Sequence, residues 1–149
     1  MKTECMYDRI LVPTDGSPES EDAIDEAMEL AELTDATVVA LYVVDTSDYS
    51  ALPESKWSAL QEELYAEGEE AVAAVAERGE AAGVEVEELV VEGSPNEVIL
   101  DTASEEDCDA IVMGTHGRSG VERFLLGSVT EKVVRHSEIP VLVVRVSEE

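Results

Sequence analysis

The feature that most constrains this chain is a repeated alternation of short, β-branched apolar runs with stretches of helical periodicity. The runs are Arg9 to Thr14 (RILVPT), Ala36 to Val44 (ATVVALYVV), Val84 to Val91 (VEVEELVV), Asp109 to Gly114 (DAIVMG) and Pro140 to Val146 (PVLVVRV). Continuous apolar strands of this kind suit a parallel sheet covered on both faces. Between the first two, Ser17 and Pro18 read as an N-cap followed by the residue favoured at the first helical position. Ala23, Ile24, Ala27, Met28 and Ala31 then recur at helical spacing, with Glu21, Asp22, Asp25, Glu26 and Glu29 on the other faces. Trp57, Leu60, Leu64, Ala71, Val72 and Val75 mark a long second helix ending near Gly83, with Gly68 and Gly79 as candidate breaks. Ser94-Pro95-Asn96-Glu97 and Ser128-Val129-Thr130-Glu131 are capping-box patterns that open two more helices, one carrying Val98, Ile99, Thr102 and Ala103, the other Val133 and Val134. Strict alternation predicts an α/β fold, a parallel sheet with right-handed crossovers, in a single domain over residues 1–149.

Charge is the next constraint. The chain holds 36 Asp and Glu against 9 Lys and Arg, a formal charge of −27. Disorder is excluded because Leu, Ile, Val and Phe make up about 26% of the chain, above the roughly 20% ceiling typical of disordered sequences. A dense carboxylate shell repels the phosphates of nucleic acids and anionic lipid heads, so neither nucleic acid nor membrane is an expected partner. It also suits a halophile's cytoplasm, where molar salt shortens the screening length to about 3 Å. Cys5 and Cys108 do not make a disulfide framework or a zinc site, no secretory apolar segment opens the sequence, and the longest apolar run, Val38 to Val44, is far too short to span a membrane. The expectation is a cytoplasmic protein.

Ligands of open α/β sheets bind outside the carboxyl ends of the strands, where chain order reverses. The first strand ends in Pro13-Thr14-Asp15-Gly16, and the fourth runs into GTHGRSGVERFLLGS, residues 114–128. In that stretch Gly114, Gly117 and Gly127-Ser128 allow a tight loop with exposed amides, followed by a helix whose free N–H groups suit an anion. A loop of flexible glycines with Ser128 as a simple cap accounts for the spacing equally well. Charge partition favours phosphate: residues 114–136 carry Arg118, Arg123, Lys132 and Arg135 against Glu122 and Glu131, a balance of +2, and the rest of the chain carries −29. Lys132 and Arg135 also complement the dipole at a helix end. Local sequence gives Asp15 a second reading as a turn former. His116 reads as an exposed loop residue, His136 as helix-end decoration, Cys108 as packing near the base of the fourth strand, and Trp57 and Tyr65 as helix-face anchors.

The segments PTDGS, DAIVMGTHGRSG, LLGSVTEKVVRHS and the closing PVLVV together resemble the universal stress protein family, in its ATP-binding class, over essentially the whole chain. The resemblance implies an open five-stranded sheet of order 3-2-1-4-5 with helices on both faces. It implies that Asp15 and the backbone of Val43 hold the adenine and ribose side, that Gly114 and Gly117 lie along ribose and phosphates, and that Gly127, Ser128 and Val129 cradle the triphosphate. Mg or Mn would bridge the phosphate oxygens of ATP. Thr14 and Arg118 join this set as our own additions. The acidic surface departs from what a tetra-anionic ligand favours, so affinity is expected to depend on salt and on the divalent ion.

That order makes the third and fifth strands the sheet edges. The third is guarded by Glu85, Glu87 and Glu88, whereas Val141–Val144 of the fifth carries no such guard, which predicts an isologous homodimer through antiparallel pairing there. The resulting expectation is a nucleotide-dependent stress-response regulator with an unidentified protein partner. The alternative is a weak ATPase or ATP-dependent transferase, but no Walker A lysine pattern, G-x-G-x-x-G, G-x-S-x-G elbow or H-E-x-x-H occurs. A phosphoacceptor receiver domain is discarded, because the third strand runs to Glu92-Gly93 and no Lys follows Lys132.

Overall fold

The computed structural model describes residues 7–45, 53–115 and 127–146. Its elements follow the expected alternation: β1 (Arg9–Pro13), a 3₁₀ turn (Pro18–Ser20), α1 (Glu21–Thr34), β2 (Thr37–Asp45), α2 (Glu54–Ala82), β3 (Val86–Gly93), α3 (Pro95–Glu105), β4 (Ala110–Gly114), α4 (Ser128–His136) and β5 (Val141–Val144). The five strands form one sheet of order β3-β2-β1-β4-β5, every neighbouring pair parallel. Strand alternation divides the core into two layers. Ile10, Val12, Val38, Ala40, Tyr42, Val44 and Val112 face α1 and α2, while Leu11, Val39, Leu41, Ile111 and Met113 face α3 and α4. Burying both faces is why the interiors of β1, β2 and β4 are uninterrupted by polar residues, unlike edge strand β3 with Glu87 and Glu88.

Several local expectations give way to stronger interactions. Ser17 precedes only a single 3₁₀ turn, and the α-helix starts at Glu21. Its hydroxyl does not cap that turn but returns to the Asp15 carboxylate, because a charged acceptor makes the stronger bond. Neither capping box forms. Ser94 points its hydroxyl at Asn96 Oδ1, 3.4 Å away, and Ser128 is already helical, leaving Gly127 as the cap residue of α4. Gly68 and Gly79 do not break α2, which runs unbroken for 29 residues. They are buried contact points: a Cβ on Gly68 would lie 2.7 Å from Tyr42 Cδ1, and one on Gly79 would lie 2.8 Å from the Val84 carbonyl oxygen. The glycines let the helix axis approach β2 and β3 closely, and the cost in helix propensity is offset by that packing.

The amino end of the sheet is closed by charge. Arg9 makes a two-pronged bond to Glu87 at 3.0 and 2.9 Å, reaches Glu106 Oε1 at 3.1 Å and donates from Nε to the Glu106 carbonyl at 2.7 Å. The Asp109 carboxylate accepts the backbone amides of Asp8 and Arg9 at 2.7 and 3.0 Å. β1, β3 and the end of α3 are thereby tied together. The bond to Arg9 holds the Glu87 carboxyl below its ordinary range, and Arg9 is raised in turn. Cys108 packs at the base of β4 against the α3 and α4 layer, where burial pushes its thiol up to about 11. Such a thiol stays protonated and inert at neutral pH.

Candidate functional site

The carboxyl end of the sheet is built differently. β2 and β3 run one way from β1, β4 and β5 the other, so the reversal of chain order lies between β1 and β4. The β1 to β2 ladder ends at Pro13 and Leu41, whereas β2 continues to Asp45 with β3 alone alongside it. Val43 therefore projects two residues beyond the last β1 partner, with its side chain against the α3 and α4 layer and its backbone edge toward the crevice. The amide of Thr14 donates to the Leu41 carbonyl at 2.8 Å, the last bond before the chain leaves the sheet.

The turn that follows is fixed by side chains. The amide and the hydroxyl of Ser17 both donate to Asp15 Oδ1, the amide at 3.0 Å. Asp15 is thus a turn former standing at the end of β1. Gly16 between them adopts φ +77°, a conformation that side chains rarely accept, and its amide donates to Thr14 Oγ1 at 3.1 Å. Ser20, to which the sequence reading gave no role, lies 3.0 Å from Thr14 Oγ1 and donates to the Ser17 carbonyl at 2.8 Å. The signal was present as a run of small hydroxyl residues around one glycine.

Across the crevice, Gly114 ends β4 and Gly127 precedes α4. The Gly127 amide donates to the Thr115 carbonyl at 2.7 Å, and the Thr130 hydroxyl, 3% exposed, donates to the Gly114 carbonyl at 2.9 Å. Thr130 was read only as part of a cap, yet it pins the first turn of α4 to the end of β4. The first-turn amides of Ser128, Val129 and Thr130 have no acceptor within the helix, and Gly127 puts no side chain in front of them. With the positive end of the helix dipole, this is a seat for an anion.

Thr14, Asp15, Val43, Gly114, Gly127, Ser128 and Val129 are thus gathered around the ends of β1, β2 and β4. Gly117, Arg118 and His116 lie outside the described residues. Exposed Arg135 pairs with Glu131 one helical turn away at 3.0 Å, and His136 is exposed at the end of α4. A groove of about 400 Å³ opens between α1 and α2, with Thr14, Gly16, Ser17 and Ser20 of the same turn in its lining. Its wall carries Glu21, Glu67, Glu70 and Glu77, with Arg78 already paired to Asp25. That charge opposes a phosphate, which makes the groove a poor seat for an anion.

A model of the universal stress protein family matches residues 6–145. A universal stress protein of Methanocaldococcus jannaschii is 43% identical over 143 residues, which cover 95% of this chain and 84% of that one. Among solved structures, the hypothetical protein MJ0577 is similar with a TM-score of 0.87 and 34% identity over 97% of this chain and 99% of its own. A universal stress protein in complex with cAMP has a TM-score of 0.69 and 29% identity, with 95% and 98% of the two chains covered. One from Archaeoglobus fulgidus in complex with dAMP has 0.62 and 27%, with 93% and 98% covered. By the match of its sequence along nearly its whole length and by the order of its sheet, the chain belongs to the universal stress protein family.

Proposed function

We propose that this chain binds ATP at the carboxyl ends of β1, β2 and β4 and acts as a nucleotide-dependent regulator of a stress response. The observation that carries the reading is the pinned glycine entry to α4, where Gly114, Thr115, Gly127 and Thr130 hold the first-turn amides toward the crevice. Phosphates would lie on Gly127, Ser128 and Val129, with Gly114 and Gly117 along ribose and phosphates and Arg118 as a further phosphate contact. Asp15 and the Val43 backbone would take the nucleoside, with Thr14 supporting Asp15 from within the turn. Relatives of this fold in complex with cAMP and dAMP support an adenine nucleotide as the ligand class. Among the described residues no group of three or more His, Cys, Asp or Glu is arranged to hold a metal ion. Mg or Mn would enter with the phosphate oxygens and neutralise part of their charge, which matters on a chain of formal charge −27. The test is to purify the protein in molar KCl, denature it and identify the released nucleotide, then repeat with Gly117→Val and Asp15→Ala. Nucleotide from the wild type but not from the variants is expected; none from the wild type, with no melting shift on adding MgATP, defeats the reading.

The same proposal includes a homodimer through β5 and a salt-adapted, cytoplasmic setting. β5 is a sheet edge, and Leu142 on it is 42% exposed. A dimer mass by light scattering in high KCl is expected, and a monomer at all concentrations contradicts it. Among the described residues no helix is long and apolar enough to cross a membrane. Melting temperature should rise with KCl as carboxylate repulsion is screened, and independence from KCl rejects salt adaptation.

A further inference from the structure

The turn after β1 contains three buried hydroxyls whose protons can be assigned from geometry. Thr14, Ser17 and Ser20 are 7%, 7% and 9% exposed. A carbonyl oxygen only accepts, so the Ser20 proton lies on the 2.8 Å bond to the Ser17 carbonyl. The 3.0 Å contact between Thr14 and Ser20 must then use the Thr14 proton, and Thr14 Oγ1 in turn accepts the Gly16 amide at 3.1 Å. The Ser17 proton goes to Asp15 Oδ1, beside the Ser17 amide. The result is a directed chain, Thr14 to Ser20 to the Ser17 carbonyl, closed by Ser17 on Asp15. It is anchored to the sheet where the Thr14 amide meets the Leu41 carbonyl.

With every hydroxyl proton committed inside the turn, Thr14 and Ser20 have none to offer a ligand. We infer that Ser20 and Thr14 are positioning residues, which act on bound nucleotide only by fixing the Asp15 carboxylate at the end of β1. This rests on the nucleotide reading above. A carboxylate held in one orientation before binding avoids the ordering cost that a free rotamer would add to recognition. Removing the Ser20 hydroxyl leaves the Thr14 proton without its acceptor and the Ser17 carbonyl without that donor, and the Asp15 turn loosens.

The test measures MgATP affinity by calorimetry in molar KCl for the wild type, Ser20→Ala, Ser20→Thr, Thr14→Val, Asp15→Asn and the Asp15→Asn, Ser20→Ala double variant, each checked for folding by circular dichroism. Ser20→Ala and Thr14→Val should each weaken binding about tenfold, the size typical of one buried hydrogen bond lost from a preorganised site. Ser20→Thr, which keeps the hydroxyl, should stay within about threefold of the wild type. In the Asp15→Asn background Ser20→Ala should add less than about twofold, because residues that act through one another are not additive. A merely structural role would lower the melting temperature of the free protein and leave these affinities unchanged. The inference is overturned if Asp15→Asn weakens binding while Ser20→Ala and Thr14→Val do not, or if the Ser20→Ala effect adds in full to Asp15→Asn. Should Ser20→Ala fail to fold, Thr14→Val against the wild type decides. A wild type that binds no MgATP fails differently, since it overturns the nucleotide reading itself.

Discussion

The two ends of the sheet solve opposite problems with the same chain. At the amino end Arg9 is spent on the protein's own carboxylates, Glu87 and Glu106, and Asp109 caps the start of β1. At the carboxyl end the polar groups are small and mostly uncharged: the hydroxyls of Thr14, Ser17, Ser20 and Thr130, the amides of α4's first turn and two glycines. One end closes three elements on themselves. The other holds Asp15 and a row of backbone donors in place across the switch point. A chain with so few cations places one where it fastens the fold, and at the other end leaves backbone amides whose charge does not depend on pH.

Substitutions at one end or the other should separate binding from stability. The largest expected effect is on binding: Ser128→Asp places a carboxylate where the phosphates are proposed to sit, and should weaken MgATP affinity about a hundredfold. The same change should raise stability by about 0.5 kcal/mol, since an acidic residue in a first helical turn complements the dipole. Calorimetry and thermal melting together check that opposed pair of signs. Arg9→Met should do the reverse. It removes the cation from Glu87 and Glu106 and should cost about 2 kcal/mol in a denaturation midpoint, discounted for the partial exposure of the site, with MgATP affinity within about twofold of the wild type. The smallest effect is the pH response. Glu87 has a folded pKa held below its ordinary 4.5, so its contribution is present above that value and is lost as pH falls through the folded one. Melting curves between neutral pH and pH 3 should show Glu87→Gln losing less on acidification than the wild type.

Most of the fold was legible because it rests on patterns with a period. Val38 to Val44 could only be a covered strand, and Ala23, Ile24, Ala27, Met28 and Ala31 fall on one buried face of α1. What escaped were features whose reason lies far away in sequence. Gly68 and Gly79 look like breaks until Tyr42 and Val84 are seen against them. The Arg9 cluster joins residues separated by 78 and 97 positions, which no local pattern reports. The placement of Asp15 and Gly114 at strand ends and of Gly127 ahead of α4 was readable from strand ends and turn chemistry. Ser20 and Thr130 were not, because a hydroxyl in a first turn reads as a cap until its actual acceptor, a carbonyl across the turn or at the end of β4, is known.

The central claim is that the carboxyl end of this sheet is a nucleotide site. Titration of the full chain with MgATP in molar KCl tests it most directly. Saturable heat at one nucleotide per chain is expected, abolished or strongly reduced by Ser128→Asp and preserved by Arg9→Met. No heat with the folded wild type, or equal binding by wild type and Ser128→Asp, would contradict it.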